Sequence, residues 1–308
     1  MPLAEDPITD LQHKRATRSI RHRSGREMEK GVRRWMVDIS LWDPGPDEFS
    51  SIISLLPLHE HSSITRFIKF KDRKRALVSR LLQYVLIHQV LGIPFDEIVI
   101  KRTIEGKPYL ESGTGSSEFP NFNFNSSHHG DYVAIASEPL CLVGLDIVSH
   151  TLSKQETALE FIENFSSCLT NLEWQNIINA GSSDEILVEF YSVGRYWCLK
   201  EAYVKAIGAG LGYGLDRLEF RHNNWTDISI HVDGEESRAW RFWLFDLGKQ
   251  HWASVARGPP NRAVESYRIR LERVEFKEEE YYSSLKLPDA GFVFLTVDQL
   301  ISMTSREK

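Results

Sequence analysis

Twice along this chain a long helical run gives way to a set of strands, and that repeated order constrains the fold more tightly than any single motif. The first run, "SSITRFIKFKDRKRALVSRLLQYVLIHQVLGIP" (62–94), repeats Leu77, Leu81, Val85 and Leu82, Leu86 at a spacing of four, which gathers them on one helical face. Asp72 is the predicted N-cap, and Gly92 with Pro94 ends the run. Strand-like "EIVIKRT", a turn at Gly106–Pro108 and a polar loop (111–119) follow. "FNFNSSHHGDYVAIAS" then reads as a loop over 125–130 feeding a strand over 132–136, and "CLVGLDIV" (141–148) as a short apolar strand with Asp146 near its exit. A second, mostly helical stretch runs from 153 to 207, with "TNLE" (170–173) spaced as a capping box. Strands return at "LDRLEF", "DISIHV", "AWRFWLF" and "HWASVAR". The order predicts an α+β fold of two halves, 31–143 and 144–308, joined near residue 140. "VRRWMVDISLW" (32–42) is an earlier strand, and the tail offers a charged strand candidate, "SYRIRLERVEF", and a last amphipathic helix.

With 308 residues the chain has room for one large domain or two modest ones. A net charge of −6 and a pI near 6.0 argue against a general nucleic-acid binder. Cys141, Cys168 and Cys198 lie far apart, so neither a disulfide framework nor a zinc site is indicated, and a reducing compartment is implied. No apolar run is long enough to span a membrane. "HKRATRSIRHRSGR" (13–26) is rich in arginine, but Glu5, Asp6 and Asp10 precede it, unlike an acid-poor transit peptide. Residues 1–30 are therefore read as a disordered basic extension, with the cytoplasm as the expected location and the mitochondrion as the alternative.

Several segments carry chemistry. Residues 66–80 hold seven bases against Asp72 alone, either a solvated helix face or a face for an anion. "RTIEGKP" (102–108) sets Lys107 on a glycine-supported turn, either an ordinary hairpin or a mobile charge suited to phosphate. "NSSHHG" (125–130) gathers amide, hydroxyl and imidazole groups, but with no G-x-S-x-G elbow a hydrolase triad fits poorly, which leaves His128 as a donor to phosphate or as one of a surface pair without a role. Asp146 either caps the next segment or binds something. Trp197, Glu201 and Lys205 share one stripe of a helix, as a plain i,i+4 ion pair or as a metal carboxylate beside an anion-binding ammonium. The glycines at 208, 210, 212 and 214 follow a helix instead of preceding one, which rules out a dinucleotide fingerprint and makes Gly208 a helix C-cap.

In order, "FNSSH" (124–128), "GLD" (144–146) and "WCLKEAYVKAIG" (197–208) resemble the three-motif signature of the 4'-phosphopantetheinyl transferases. The likeness runs from about residue 60 to about residue 257 and includes "GKP" (106–108) and "RLEF" (217–220). It is nearest the larger, surfactin-synthetase-activator class and its eukaryotic members that serve aminoadipate reductase and fatty acid synthase. The resemblance implies a pseudo-dimer of two similar α+β halves with coenzyme A in the cleft between them. It implies holo-[acyl-carrier-protein] synthase chemistry, moving 4'-phosphopantetheine from coenzyme A to a serine of an apo carrier and releasing adenosine 3',5'-bisphosphate. Mg²⁺, or alternatively Mn²⁺, would be held by Asp146 and Glu201, with Lys205 beside the phosphates as proton acceptor or as fixed charge. Arg75, Arg102, Thr103, Gly106, Lys107, Asn125, Ser127 and His128 would contact coenzyme A.

Two departures stand out. Val148 replaces the third acid of a G-x-D-x-E motif, leaving water or a group such as His129 to complete the coordination, and Ser63 replaces a basic residue of some relatives. These departures favour the rival reading, a non-catalytic coenzyme A or carrier-binding homologue. The expected partners are apo carrier proteins or domains, engaged by a monomer, with no nucleic acid and no membrane.

Overall fold

The computed structural model describes residues 28–111, 119–149, 158–179, 185–287 and 291–304; the basic segment 13–26 and most of the polar loop fall outside them. The first half comprises β1 (Arg33–Asp38), α1 (Pro46–Ile53), α2 (Leu58–Thr65), α3 (Phe70–Leu91), β2 (Ile100–Arg102), β3 (Pro108–Leu110), β4 (Asn123–His129) and β5 (Tyr132–Glu138). Strands β1, β5 and β4 form an antiparallel sheet. Leu77, Leu81, Leu82 and Val85 of α3 share one core with Phe124, Val133 and Ile135 of that sheet. The helical run of 62–94 is two helices, not one, because the chain breaks at 66–69, where Arg73 Nε holds the Phe67 carbonyl at 2.5 Å. Lys69 is the N-cap of α3, and Asp72 lies inside the first turn, where it pairs with Arg75. Gly92, at φ 72°, closes the helix as its spacing predicts.

The second half repeats the plan with β6 (Leu142–Ser149), α4 (Ala158–Ser166), α5 (Asn171–Asn179), α6 (Glu185–Ile207), β7 (Leu218–Asn223), β8 (Thr226–Val232), β9 (Glu235–Glu236), β10 (Arg241–Gly248) and β11 (His251–Gly258). An antiparallel β10–β11–β6 sheet carries α6 on one face. Gly144 permits the contact, since a Cβ there would lie 1.8 Å from the Ala202 carbonyl oxygen. The capping box is present, with Thr170 N–H to Glu173 at 2.9 Å and Glu173 N–H to Thr170 at 3.3 Å.

Side chains, in place of a backbone ladder, join the halves. Asn123 Oδ1 accepts the Val143 N–H at 3.0 Å, Asn125 Oδ1 the Leu145 N–H at 2.9 Å, and Ser127 Oγ the Ile147 N–H at 3.2 Å. Every second residue of β4 thus satisfies the edge of β6, as the period of two in a strand requires. "NSSHHG" is therefore mostly strand; only Gly130, at φ 57°, belongs to the turn. Beside this seam Met36, Ala134 and Ala136 share a third core with Val143, Leu145, Ile147, Ala253 and Val255.

The tail holds α7 (Glu265–Arg268), α8 (Glu278–Leu285), β12 (Val293–Leu295) and α9 (Val297–Ser302). "SYRIRLERVEF" is not a strand: Tyr267 sinks into the second core, and the N–H groups of Arg268, Ile269 and Arg270 bond carbonyls three or four residues back. The end of the chain, grouped by sequence with the second half, returns to the first, where β12 pairs parallel with β1. Among the described residues no helix is long and apolar enough to cross a membrane.

Candidate active site

A cleft of roughly 320 Å³ opens between the halves. Ser79 of α3, Arg102, Glu105, Gly106 and Lys107 of the β2–β3 hairpin, and Asn125, Ser126 and His128 of β4 form one wall. Glu201, Val204 and Lys205 of α6, with Gly208, Gly210 and Leu211 beyond it, form the other. Asp146 is buried beside this cleft, in the body of β6 and not at its exit. Alternation turns Gly144, Asp146 and Val148 toward one face, the face on which α6 packs. Capping is thereby excluded as its role. Its Oδ1 accepts from Lys205 Nζ at 2.6 Å and from Ser127 Oγ at 3.3 Å.

Glu201 and Lys205 lie one turn apart on α6, and both face the cleft. Burial raises the Glu201 carboxyl above its usual pKa, the charge of Asp146 raises it further, and Lys205 opposes both. Burial works against the Lys205 ammonium, but its contacts with Asp146 and the charge of Glu201 hold it above the usual lysine value. Two acids that repel each other across a sheltered space, with one ammonium between them, leave room for further positive charge. Two hard carboxylate donors match what Mg²⁺ takes from a protein when phosphates and water complete its shell. Among the described residues no group of three or more His, Cys, Asp or Glu could hold a metal unaided, so other ligands would have to contribute. His129 lies within electrostatic reach of Asp146, with its ring 6.0 Å from that of His251.

The other expected contacts divide into two groups. Arg102, Gly106, Asn125 and His128 line the cleft as expected. Burial, then the charges of Arg75 and Lys205, push the His128 pKa down. Arg75 does not line it; the guanidinium donates to the Gly130 carbonyl at 2.8 Å and pairs with Asp72. Thr103 shapes the hairpin, its N–H reaching the Lys107 carbonyl at 2.9 Å. Ser127 is taken up by Ile147, Asp146 and Lys205. Lys107 is not a mobile charge. Its Nζ is buried and donates to the carbonyls of Val143 and Lys205, both at 2.7 Å, and burial with nearby Lys205 lowers its pKa to about 7.

Sequence reading missed Ser79, Ser126 and Leu211 as lining residues. Alternation along β4 would have paired Ser126 with His128, had 125–130 been read as strand. It also missed the fully buried Glu173–Lys200 ion pair at 2.6 Å, in which Lys200 also donates to the Cys168 and Leu215 carbonyls. Lys200 precedes Glu201, so this pair fixes the rotation of α6 about its axis.

The cleft between the two α+β halves is thus edged by two acids and several basic side chains. Comparison with known proteins gives the family. Residues 40–140 match the family described as 4'-phosphopantetheinyl transferase, N-terminal, and residues 142–256 the 4'-phosphopantetheinyl transferase superfamily. An L-aminoadipate-semialdehyde dehydrogenase-phosphopantetheinyl transferase of Rattus norvegicus is 35% identical over 240 residues, covering 75% of this chain and 76% of that protein. A phosphopantetheinyl transferase of Thraustochytrium sp. is 32% identical over 262 residues, covering 81% and 88%. The 4'-phosphopantetheinyl transferase psf-1 of Bacillus pumilus is 28% identical over 180 residues, covering 58% and 69%. Among solved structures, a holo-[acyl-carrier-protein] synthase of Thermotoga maritima covers 38% of this chain and 62% of its own at 16% identity and a TM-score of 0.27, too slight a likeness to build on. The chain belongs to the 4'-phosphopantetheinyl transferase superfamily.

Proposed function

We propose that the chain takes the 4'-phosphopantetheine arm from coenzyme A and places it on a serine of an apo carrier domain, aminoadipate reductase and fatty acid synthase types foremost. The serine oxygen forms a bond to the phosphorus next to the arm, the P–O bond to the other phosphate breaks, and adenosine 3',5'-bisphosphate leaves with the electron pair. The serine proton passes to solvent or buffer. Asp146 and Glu201 would hold Mg²⁺, whose charge offsets that of the diphosphate as the bond breaks. Lys205 stays charged beside Asp146, which suits it to stabilising phosphate charge more than to accepting the serine proton. Arg102 and His128 face the same cleft and suit the phosphates of the nucleotide end. The single observation carrying this reading is the convergence of Asp146 from β6 with Glu201 and Lys205 from α6 at the cleft.

The test is intact-mass analysis of several apo carriers incubated with the protein, coenzyme A and Mg²⁺, with and without a chelator. A phosphopantetheine adduct that disappears with the chelator is expected. No adduct on any carrier, with coenzyme A still bound, would select the non-catalytic reading.

A further inference from the structure

Lys107 lines the cleft but spends two of its donors elsewhere. A lysine ammonium has three donors. Two reach the Val143 and Lys205 carbonyls at 2.7 Å each, and the group also sits 5.1 Å from the centre of the Tyr267 ring. The side chain is 4% exposed. Two of its three donors are thus engaged, which ties the side chain down and leaves one donor at most for a ligand.

The two carbonyls are significant because of where they lie. Val143 is on β6, three residues before Asp146, and its N–H is already taken by Asn123. Lys205 is in the last turn of α6, where carbonyls lack partners within the helix. Its neighbours there are served locally: Val204 accepts from Gly208 and Ala209, and Ile207 accepts from Val264. The Lys205 carbonyl is met by Lys107, which comes from the other half of the molecule. One side chain of the β2–β3 hairpin therefore joins the strand carrying Asp146 to the helix carrying Glu201 and Lys205.

We infer that Lys107 is a positioning residue, a latch that fixes β6 against α6 and so sets the relative placement of Asp146, Glu201 and Lys205. The inference rests on the transferase reading for its catalytic consequence but not for its geometry. The hairpin is braced for this task. Lys107 N–H reaches Thr103 Oγ1 at 3.2 Å, Arg102 donates to the Gly106 carbonyl at 2.8 Å, and Gly106 adopts φ 95°.

The test compares Lys107→Met, which keeps the stem and loses the donors, with Lys107→Arg, which puts a broader, planar guanidinium in place of the compact amine. Both are checked for folding by melting temperature. In Lys107→Met kcat should fall about tenfold or more, while KM for coenzyme A stays within about threefold. Affinity for adenosine 3',5'-bisphosphate, measured by calorimetry without metal, should likewise hold, and amides 204–209 should exchange hydrogen faster. Lys107→Arg should share the loss in kcat, and it decides the matter by the same readouts if Lys107→Met does not fold. Lost affinity for adenosine 3',5'-bisphosphate with kcat retained would overturn the latch, as would unchanged hydrogen exchange. An inert wild type would refute the transferase reading instead, and the exchange comparison would still report on the latch.

Discussion

Adding one methyl group at Gly144 should separate the two acids without touching either. The Gly144 backbone is not in the left-handed region, so alanine meets no conformational objection there, and the effect is purely steric. Its Cβ would lie 1.8 Å from the Ala202 carbonyl oxygen and 2.5 Å from the Ala206 nitrogen. Ordinary contact begins near 3.4 Å, so about 1.6 Å of separation must be made between β6 and α6. Both obstructing atoms are helix backbone, which cannot rotate aside, and Ala202 and Ala206 flank Lys205. Overpacking of this kind costs about 1–3 kcal/mol of stability. A displacement of order 1 Å at reacting groups costs about a hundredfold in rate. Gly144→Ala should therefore melt several degrees lower and, at a temperature where it is folded, transfer phosphopantetheine about a hundredfold more slowly. Denaturation followed by fluorescence, together with initial rates from intact mass, reads both quantities. A variant with wild-type stability and a rate within about threefold of wild type would refute the claim that α6 rests directly on β6 at this glycine.

Other outcomes follow from the same geometry. Asn123→Ala leaves the buried Val143 N–H without its acceptor and should cost about 1–3 kcal/mol for that group alone, read by urea denaturation; no loss would contradict the side-chain seam. Lys200→Met strands the buried Glu173 carboxylate and should cost about 3–5 kcal/mol, and adding Glu173→Gln should restore part of it. A double variant less stable than Lys200→Met would argue against this pairing. His128 in the free protein loses its proton below the usual histidine value because of burial and the charges of Arg75 and Lys205. A phosphate arriving beside it counters those charges and raises the His128 pKa, so binding of adenosine 3',5'-bisphosphate should take up protons once pH exceeds the lowered value of the free protein, and should weaken as pH rises further. Calorimetry in two buffers of different ionisation enthalpy measures the uptake, which His128→Gln should abolish.

The sequence revealed the site's chemistry more readily than its geometry. Asp146, Glu201 and Lys205 could be named because spacing on a helix and order along the chain are local properties. The order of elements was legible for the same reason, and Gly92 and Gly208 end their helices at positive φ as their placement predicts. Most of β4 reads as a loop in the sequence because Asn is a poor strand former; Asn123, Asn125 and Ser127 occur there because their side chains serve the N–H groups of β6, a partner 20 residues away. The same non-local cause hid Lys107, whose acceptors lie 36 and 98 residues along the chain. Gly144 looked like part of a short motif, and its purpose emerged only once α6 was seen against it. The return of β12 to β1 depends on pairing with residues some 258 positions earlier, which no local pattern encodes.

The most direct test of the central claim is Mn²⁺ binding, followed by electron paramagnetic resonance with coenzyme A present, in the wild type and in Asp146→Asn and Glu201→Gln. The wild type should hold Mn²⁺ tightly, more so with coenzyme A and less so against Mg²⁺, and each variant should lose or greatly weaken that site while remaining folded. Mn²⁺ bound equally well by all three proteins would contradict it.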